Sequence, residues 1–137
     1  MTDTDGETDT FRLTVGQCAT LACLLEVNAP KPGNVHRGAD FDDATLNDFA
    51  ASAVAIGDVL QQASRNGVGE TVLRCVQATQ CVCHTNTNLG AILLLAPLAV
   101  VPRNDNLRRG VADVLRSLGP SDAQLVYVAI RLADPGG

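Results

Sequence analysis

The run Leu89-Gly90-Ala91-Ile92-Leu93-Leu94-Leu95-Ala96-Pro97-Leu98-Ala99-Val100 decides the architecture. Wound as a helix it is apolar on nearly every face, which predicts a central buried helix near 89–100. Pro97 has no N–H and its ring crowds the preceding turn, so a kink or an end is expected there. The longest fully apolar run, Ala91–Val101, holds 11 residues including that proline. A bilayer span needs about 20.

Upstream of this run, Glu70–Cys81 places Val72, Cys75, Val76 and Thr79 on one side of a helix. Before it, Thr45–Ser64 carries the stripe Leu46, Phe49, Ala50, Ala53, Ile56 and Leu60. Gly57 inside that stripe costs roughly 1 kcal/mol against Ala and points to close packing or a ligand. Leu13–Asn28 repeats Val15, Cys18, Ala22 and Leu25 at helical spacing, with Leu21 beside them, Thr14 as an N-cap and Pro30 as the stop. Downstream, Leu107–Leu118 is amphipathic and Gly119-Pro120 stops it. Ser121-Asp122-Ala123-Gln124 matches a capping box opening a helix over Ala123–Ala133. Arg65–Gly69 and Pro102–Asp105 read as turns. Aromatics are only 3% of the chain, so Ala, Leu and Val do the packing. That composition favours closely packed helices over a β-sandwich. The expectation is an all-α bundle of about six helices over 11–137, after a disordered acidic tail at Met1–Thr10.

The chain carries 10 Lys and Arg against 15 Asp and Glu, a net charge of −5. This balance argues against general nucleic-acid binding but leaves room for a local basic pocket. The five cysteines are an odd number and no basic, apolar leader precedes them. Reduced thiols in a cytoplasmic protein, some of them buried, are expected, with no membrane segment.

Two stretches are candidates for chemistry. In Pro30-Lys31-Pro32-Gly33-Asn34-Val35-His36-Arg37, two prolines stiffen the backbone around Lys31, and Gly33 permits a tight turn. Lys31, His36 and Arg37 could grip an anion such as phosphate. On spacing alone the same residues fit more readily a connector whose charges face water. In His84-Thr85-Asn86-Thr87-Asn88-Leu89-Gly90, a polar run enters the apolar helix. Thr87 or Asn88 would be the N-cap, and a helix N-terminus with a glycine in its first turn is a seat for phosphate. Ordinary capping explains only part of this run. Asp40, Asp42, Asp43 and Asp48 could hold Mg²⁺ with substrate phosphates or, in part, cap the following helix. Cys81-Val82-Cys83-His84 does not match zinc-ligand spacing. No P-loop, dinucleotide-binding or hydrolase-elbow motif is present.

Four segments together resemble the triphosphoribosyl-dephospho-CoA synthase family. They are Glu26–Arg37 (Glu-Val-Asn-Ala-Pro-Lys-Pro-Gly-Asn-Val-His-Arg), Asp48–Ala53, Asn86–Gly90 and Ala129–Gly137. The family is all-helical. It transfers the triphosphoribosyl group of ATP to 3′-dephospho-CoA: a ribose hydroxyl attacks the anomeric carbon of ATP, adenine leaves and the triphosphate stays on the product. The resemblance implies catalytic roles for Glu26, Lys31 and Arg37. It implies nucleotide binding by Lys31, Gly33, Asn34, His36, Arg37, Asn86, Thr87, Asn88 and Gly90. It implies Mg²⁺, brought as Mg-ATP, at Glu26, Asp42 and Asp43. Members that make the citrate lyase precursor typically read Asn-Thr-His-Lys-Gly where this chain has Asn86-Thr87-Asn88-Leu89-Gly90, so it resembles the divergent, archaeal-type branch. Family members are longer, and the chain is read as the N-terminal half of their fold. Exposed apolar faces would then take a second copy as partner. The alternatives are another phosphoribosyl-type transferase of coenzyme biosynthesis and a non-catalytic, self-associating helical fragment.

Overall fold

Thr14 opens the first helix through a capping box. Its hydroxyl accepts from the Gln17 N–H at 3.1 Å, and Gln17 Oε1 accepts from the Thr14 N–H at 2.9 Å. The structure, a computed structural model, describes residues 11–30, 32 and 44–135. Met1–Thr10, read above as a tail, lies outside them. Among the described residues there are seven helices and no strand: α1 (Val15–Asn28), α2 (Leu46–Gln61), α3 (Ala63–Asn66), α4 (Val68–Val82), α5 (Leu89–Val100), α6 (Leu107–Ser117) and α7 (Pro120–Ala133). The all-α reading holds.

The extra helix comes from the stretch read as the end of one helix and a turn. α2 closes at Gln61, α3 follows at once, and Gly67 then breaks helical geometry with φ 77°. Only glycine adopts that angle without strain, so one residue makes the turn for which Arg65–Gly69 was expected. The last helix also begins earlier than Ala123. Pro120 sits in its first turn, where the missing N–H costs nothing. Asp122 reaches back to the Gly119 N–H at 3.1 Å, and its other oxygen takes the Gly69 N–H at 3.0 Å. That carboxylate ties the start of α7 to the start of α4. Gln80 Nε2 donates to the Leu132 carbonyl at 2.7 Å, so the two helices run parallel along their length.

α1 and α2 run antiparallel and close together. The Gly16 N–H donates to Gln61 Oε1 at 2.8 Å, and Thr20 Oγ1 donates to the Ala53 carbonyl at 3.1 Å. A Cβ on Gly16 would stand 2.4 Å from the Gly57 carbonyl oxygen, and one on Gly57 would stand 2.4 Å from Thr20 Oγ1. Gly57 is therefore a packing glycine, the first of the two explanations its position allowed.

α5 spans the expected residues and runs on past Pro97 to Val100, so the proline does not end it. It is not the buried centre, however. Ile92, Ala96 and Ala99 are buried, whereas Leu94 is 73% exposed. An apolar run shows that any face can be buried, not which face meets a neighbour. The centre is α4, which packs against α2, α5 and α7 and buries Val68, Thr71, Val72, Cys75, Val76 and Thr79. Ile56 and Leu60 of α2 and Ile92 of α5 complete the fully buried core around it. α6 buries no residue. No helix among the described residues is long and apolar enough to cross a membrane.

Two thiols belong to this core. Burial, with Cys23 adding to it, pushes Cys75 up to about 12. Burial, and then the charge of Glu26, raises Cys23. A thiol raised on folding contributes stability that is complete below its unfolded value near pH 8.5 and is lost as pH climbs toward the folded value. Urea unfolding at pH 8 and pH 10 should therefore show a larger loss in the wild type than in Cys75→Ala. Equal losses would contradict the assignment. At the α1–α2 crossing, Gly16→Ala should lower stability by about 1–3 kcal/mol despite the better helix former. A thermal melt checks this, and an unchanged or higher Tm would show that the two helices separate without cost.

Candidate active site

The geometry at the start of α5 rests on Ser52, which is fully buried on α2. Its hydroxyl accepts from Thr87 Oγ1 at 2.7 Å and from Asn88 Nδ2 at 2.6 Å, and donates to the Phe49 carbonyl at 3.1 Å. One donor and two acceptor positions are a hydroxyl's full capacity. The side chain of Asn88 is thereby engaged with Ser52 rather than with its own helix. Asn88 occupies the N-cap position without a side-chain capping bond. Asn86 takes over that task, with Oδ1 accepting the Leu89 N–H at 3.3 Å. The expectation that Thr87 or Asn88 caps α5 is corrected accordingly: both hold the turn against α2. Cys83 completes the turn from the other side, with Sγ donating to the carbonyls of Thr79 at 3.4 Å and Thr85 at 3.5 Å.

This turn borders a cavity of about 680 Å³ at one end of the bundle. Ala44 and Phe49 come from the start of α2, Val76, Thr79 and Gln80 from the end of α4, and Leu132, Ala133 and Asp134 from the end of α7. His84, Thr85, Asn86, Leu89 and Ile92 close the lining. Asp134 follows α7 in the left-handed region at φ 44°, ψ 58°. A non-glycine residue holds that conformation at some cost, and Asp is among the few that do so readily.

Charge is distributed unevenly around the cavity. α2 opens with a capping box in which Asp48 accepts from the Thr45 N–H and the Thr45 hydroxyl, both at 2.9 Å. Those two bonds, in that order, hold the Asp48 carboxyl below the usual range, with His84 nearby contributing less. The positive end of α2 is thus answered by its own acid. α5 has no acid in its first turn. The N–H groups of Gly90 and Ala91 make no hydrogen bond among the described residues, and a Cβ at Gly90 would meet nothing within 4 Å. The C-terminal ends of α4 and α7, with Asp134, also border the cavity.

Of the residues expected at a site, Asn86 lines the cavity, Thr87 and Asn88 build its wall through Ser52, and Gly90 lies one residue past the lining Leu89. Glu26 is on the last turn of α1. The Gly16–Gln61 and Thr20–Ala53 pairings put that turn level with the first turn of α2, but Glu26 does not line the cavity. Lys31, Gly33, Asn34, His36, Arg37, Asp40, Asp42 and Asp43 lie outside the described residues. The chain enters that segment after α1 and leaves it at Ala44, which is in the lining. Sequence reasoning missed Ser52 and Thr79 as site residues. A small polar residue recurring on an apolar stripe was the available signal for both.

Among the described residues, no three His, Cys, Asp or Glu side chains form a group able to hold a metal ion. The described part of the site therefore does not by itself provide a Mg²⁺ cage.

With the geometry in place, comparison with known families gives one result. The sequence model described as CitG: ATP:dephospho-CoA triphosphoribosyl transferase matches residues 12–137. No curated protein and no solved structure matches.

Ser52→Ala should cost about 1–3 kcal/mol, because it leaves the buried Asn88 amide without its acceptor. Hydrogen exchange should also quicken at Leu89–Ile92. Stability and exchange both unchanged would mean that the turn is held by other contacts.

Proposed function

The chain belongs to the ATP:dephospho-CoA triphosphoribosyl transferase family, and from that premise we propose that the cavity at the α2, α4, α5 and α7 ends is where the two nucleotides meet. One observation carries the reading. Three segments far apart in sequence, each part of the family resemblance, line this single cavity: Phe49, then Asn86 and Leu89, then Leu132–Asp134. The fourth, Glu26–Arg37, begins level with it on α1 and is followed by the lining residue Ala44.

The triphosphate lies toward the N-terminus of α5. The open N–H groups of Gly90 and Ala91 favour an anion there, and no acid in that turn opposes it. Leu89 presents no charge, so the cations come from Lys31 and Arg37 in the adjoining segment, with His36, Gly33 and Asn34 as further contacts. Mg²⁺ arrives with ATP, and Glu26, Asp42 and Asp43 are its candidate ligands. When bound it would neutralise part of the triphosphate charge. In the transfer, a bond forms from the acceptor hydroxyl oxygen to the anomeric carbon, the bond from that carbon to adenine breaks, and the hydroxyl loses its proton. Among the described lining residues, His84 and Asp134 are the candidates to accept that proton or to supply one to departing adenine. Positive charge developing on the sugar is favoured by the C-terminal ends of α4 and α7.

Exposed Leu94, Leu115 and Tyr127 favour self-association as a companion property, whether or not the chain turns over. Sedimentation velocity reads it directly.

Incubating the chain with Mg-ATP and dephospho-CoA should release adenine, measured by chromatography. Lys31→Ala and Gly90→Ala should each lower ATP affinity roughly 3- to 30-fold, the loss of one or two charge-assisted contacts or of the room beside the helix end. No adenine from the wild type would favour the non-catalytic alternative. ATP binding untouched by both substitutions would remove the triphosphate from this end of α5.

A further inference from the structure

The apolar stripe that the sequence shows on α1 is not the face that the fold buries. The buried residues of α1 are Gly16, Ala19, Cys23 and Val27. Val15, Cys18, Ala22 and Leu25 form a second stripe beside them: Val15 is half-buried, Cys18 and Ala22 are exposed, and Leu25 is 66% exposed. Their spacing of three, four and three residues is the seam by which one helix packs on another. Val15, Cys18 and Ala22 of α1 line a groove of about 440 Å³ together with Leu95 and Leu98 of α5. Leu25 continues the stripe one turn further along α1. An apolar groove between two helices, with a helical seam left open along it, accepts one further helix.

Charge selects the occupant. Arg12 and Arg103 line the groove where α1 begins, and the Arg103 guanidinium donates to the Leu13 carbonyl. The ion pairs between described residues are Arg74–Glu70 and Arg116–Asp113, so neither arginine is paired with Asp105, which also lines the groove. The other end of α1 has the opposite character. Its last turn holds Glu26 and no basic residue, and its final carbonyls carry the negative pole of the helix. A helix with a positive start and a negative end is complementary to a copy of itself laid antiparallel. We propose that this groove is the interface between two copies of the chain, with α1 of each lying antiparallel in the α1–α5 groove of the other, about a twofold axis level with Thr20. Val15 then meets the partner's Leu25, and Cys18 meets the partner's Ala22. Arg12 and Arg103 face the last turn of the partner's α1. The two central residues of the seam are small, which lets the helices approach closely. The contact is isologous and closes at two copies. The amphipathic α6 lacks this complementarity: Arg108 and Arg109 stand in its first turn and Arg116 in its last, so an antiparallel pair would oppose like charges. The interface rests on the self-association proposed above, not on the nucleotide reading.

The test is sedimentation velocity of the full chain, in which the wild type should form a dimer. Ala22→Glu should raise the dimer dissociation constant at least about 10-fold, because the new carboxylate would be buried at the centre of the seam. Ala22 is exposed in the single chain, so helix content by circular dichroism should not change. Arg12→Glu should raise the constant roughly 3- to 30-fold. Leu115→Glu on α6 should leave it unchanged. Orientation is read in a background of Cys18→Ser and Cys81→Ser, which removes the exposed thiols. There a short-arm bismaleimide should link Val15→Cys chains to Leu25→Cys chains and should link neither variant to itself. A monomeric wild type overturns the self-association and this interface together. A dimer that survives Ala22→Glu overturns the interface and leaves self-association standing. Links among Val15→Cys chains, with none to Leu25→Cys chains, overturn the antiparallel arrangement.

Discussion

A single buried hydroxyl, that of Ser52, sets the position of the α5 N-terminus. Its two accepted hydrogen bonds, from Thr87 and Asn88, and its donated one to Phe49 lock the 83–88 turn onto α2. Low dielectric strengthens such a cluster when every member is satisfied and makes it costly when one is not. Because Asn88 is drawn to Ser52, Asn86 must cap the helix, and the N–H groups of Gly90 and Ala91 stay open. The polar motif thus serves two ends at once. Part of it is architecture, and the remainder leaves an exposed, positively polarised helix end beside a cavity.

The cavity exists because of how the helices are directed. α1 runs against α2, and α4 runs alongside α7. Their ends then fall so that α2 and α5 begin where α4 and α7 finish. Asp122 and the Gly16–Gly57 approach keep those pairs in register. In an acidic chain this arrangement sets the positively polarised start of α5 at a cavity that the ends of α4 and α7 also border. Both polarities result from backbone orientation as much as from charged side chains.

Much of this was legible in the sequence. Thr14, the α5 limits and the amphipathic α6 follow from capping chemistry and periodicity, which are local. The small residue at Gly57 announced a close approach, though not its partner, Gly16. What failed was long-range. Asp122 serves Gly119 and Gly69 rather than a Ser121 cap, and nothing local reports a partner 53 residues away. The burial of α5 was overstated because apolar content does not reveal which faces are covered. Within the site, Asn86–Gly90 could be singled out, but Thr79 read as an ordinary member of an apolar stripe and Ser52 as a small residue beside one. The role of Ser52 depends on its hydroxyl meeting Thr87 and Asn88 from the turn before another helix.

The claim on which the functional reading turns is that one cavity gathers the family segments around a nucleotide. Photolabelling with 8-azido-ATP, followed by digestion and peptide mapping, addresses it directly. Label in peptides carrying Thr79 to Leu89 or Leu132 to Asp134, reduced by competing ATP, is the expected result. Label confined to the apolar groove of about 440 Å³ between α1 and α5, lined by Ala19, Leu95 and Ala99, would contradict it.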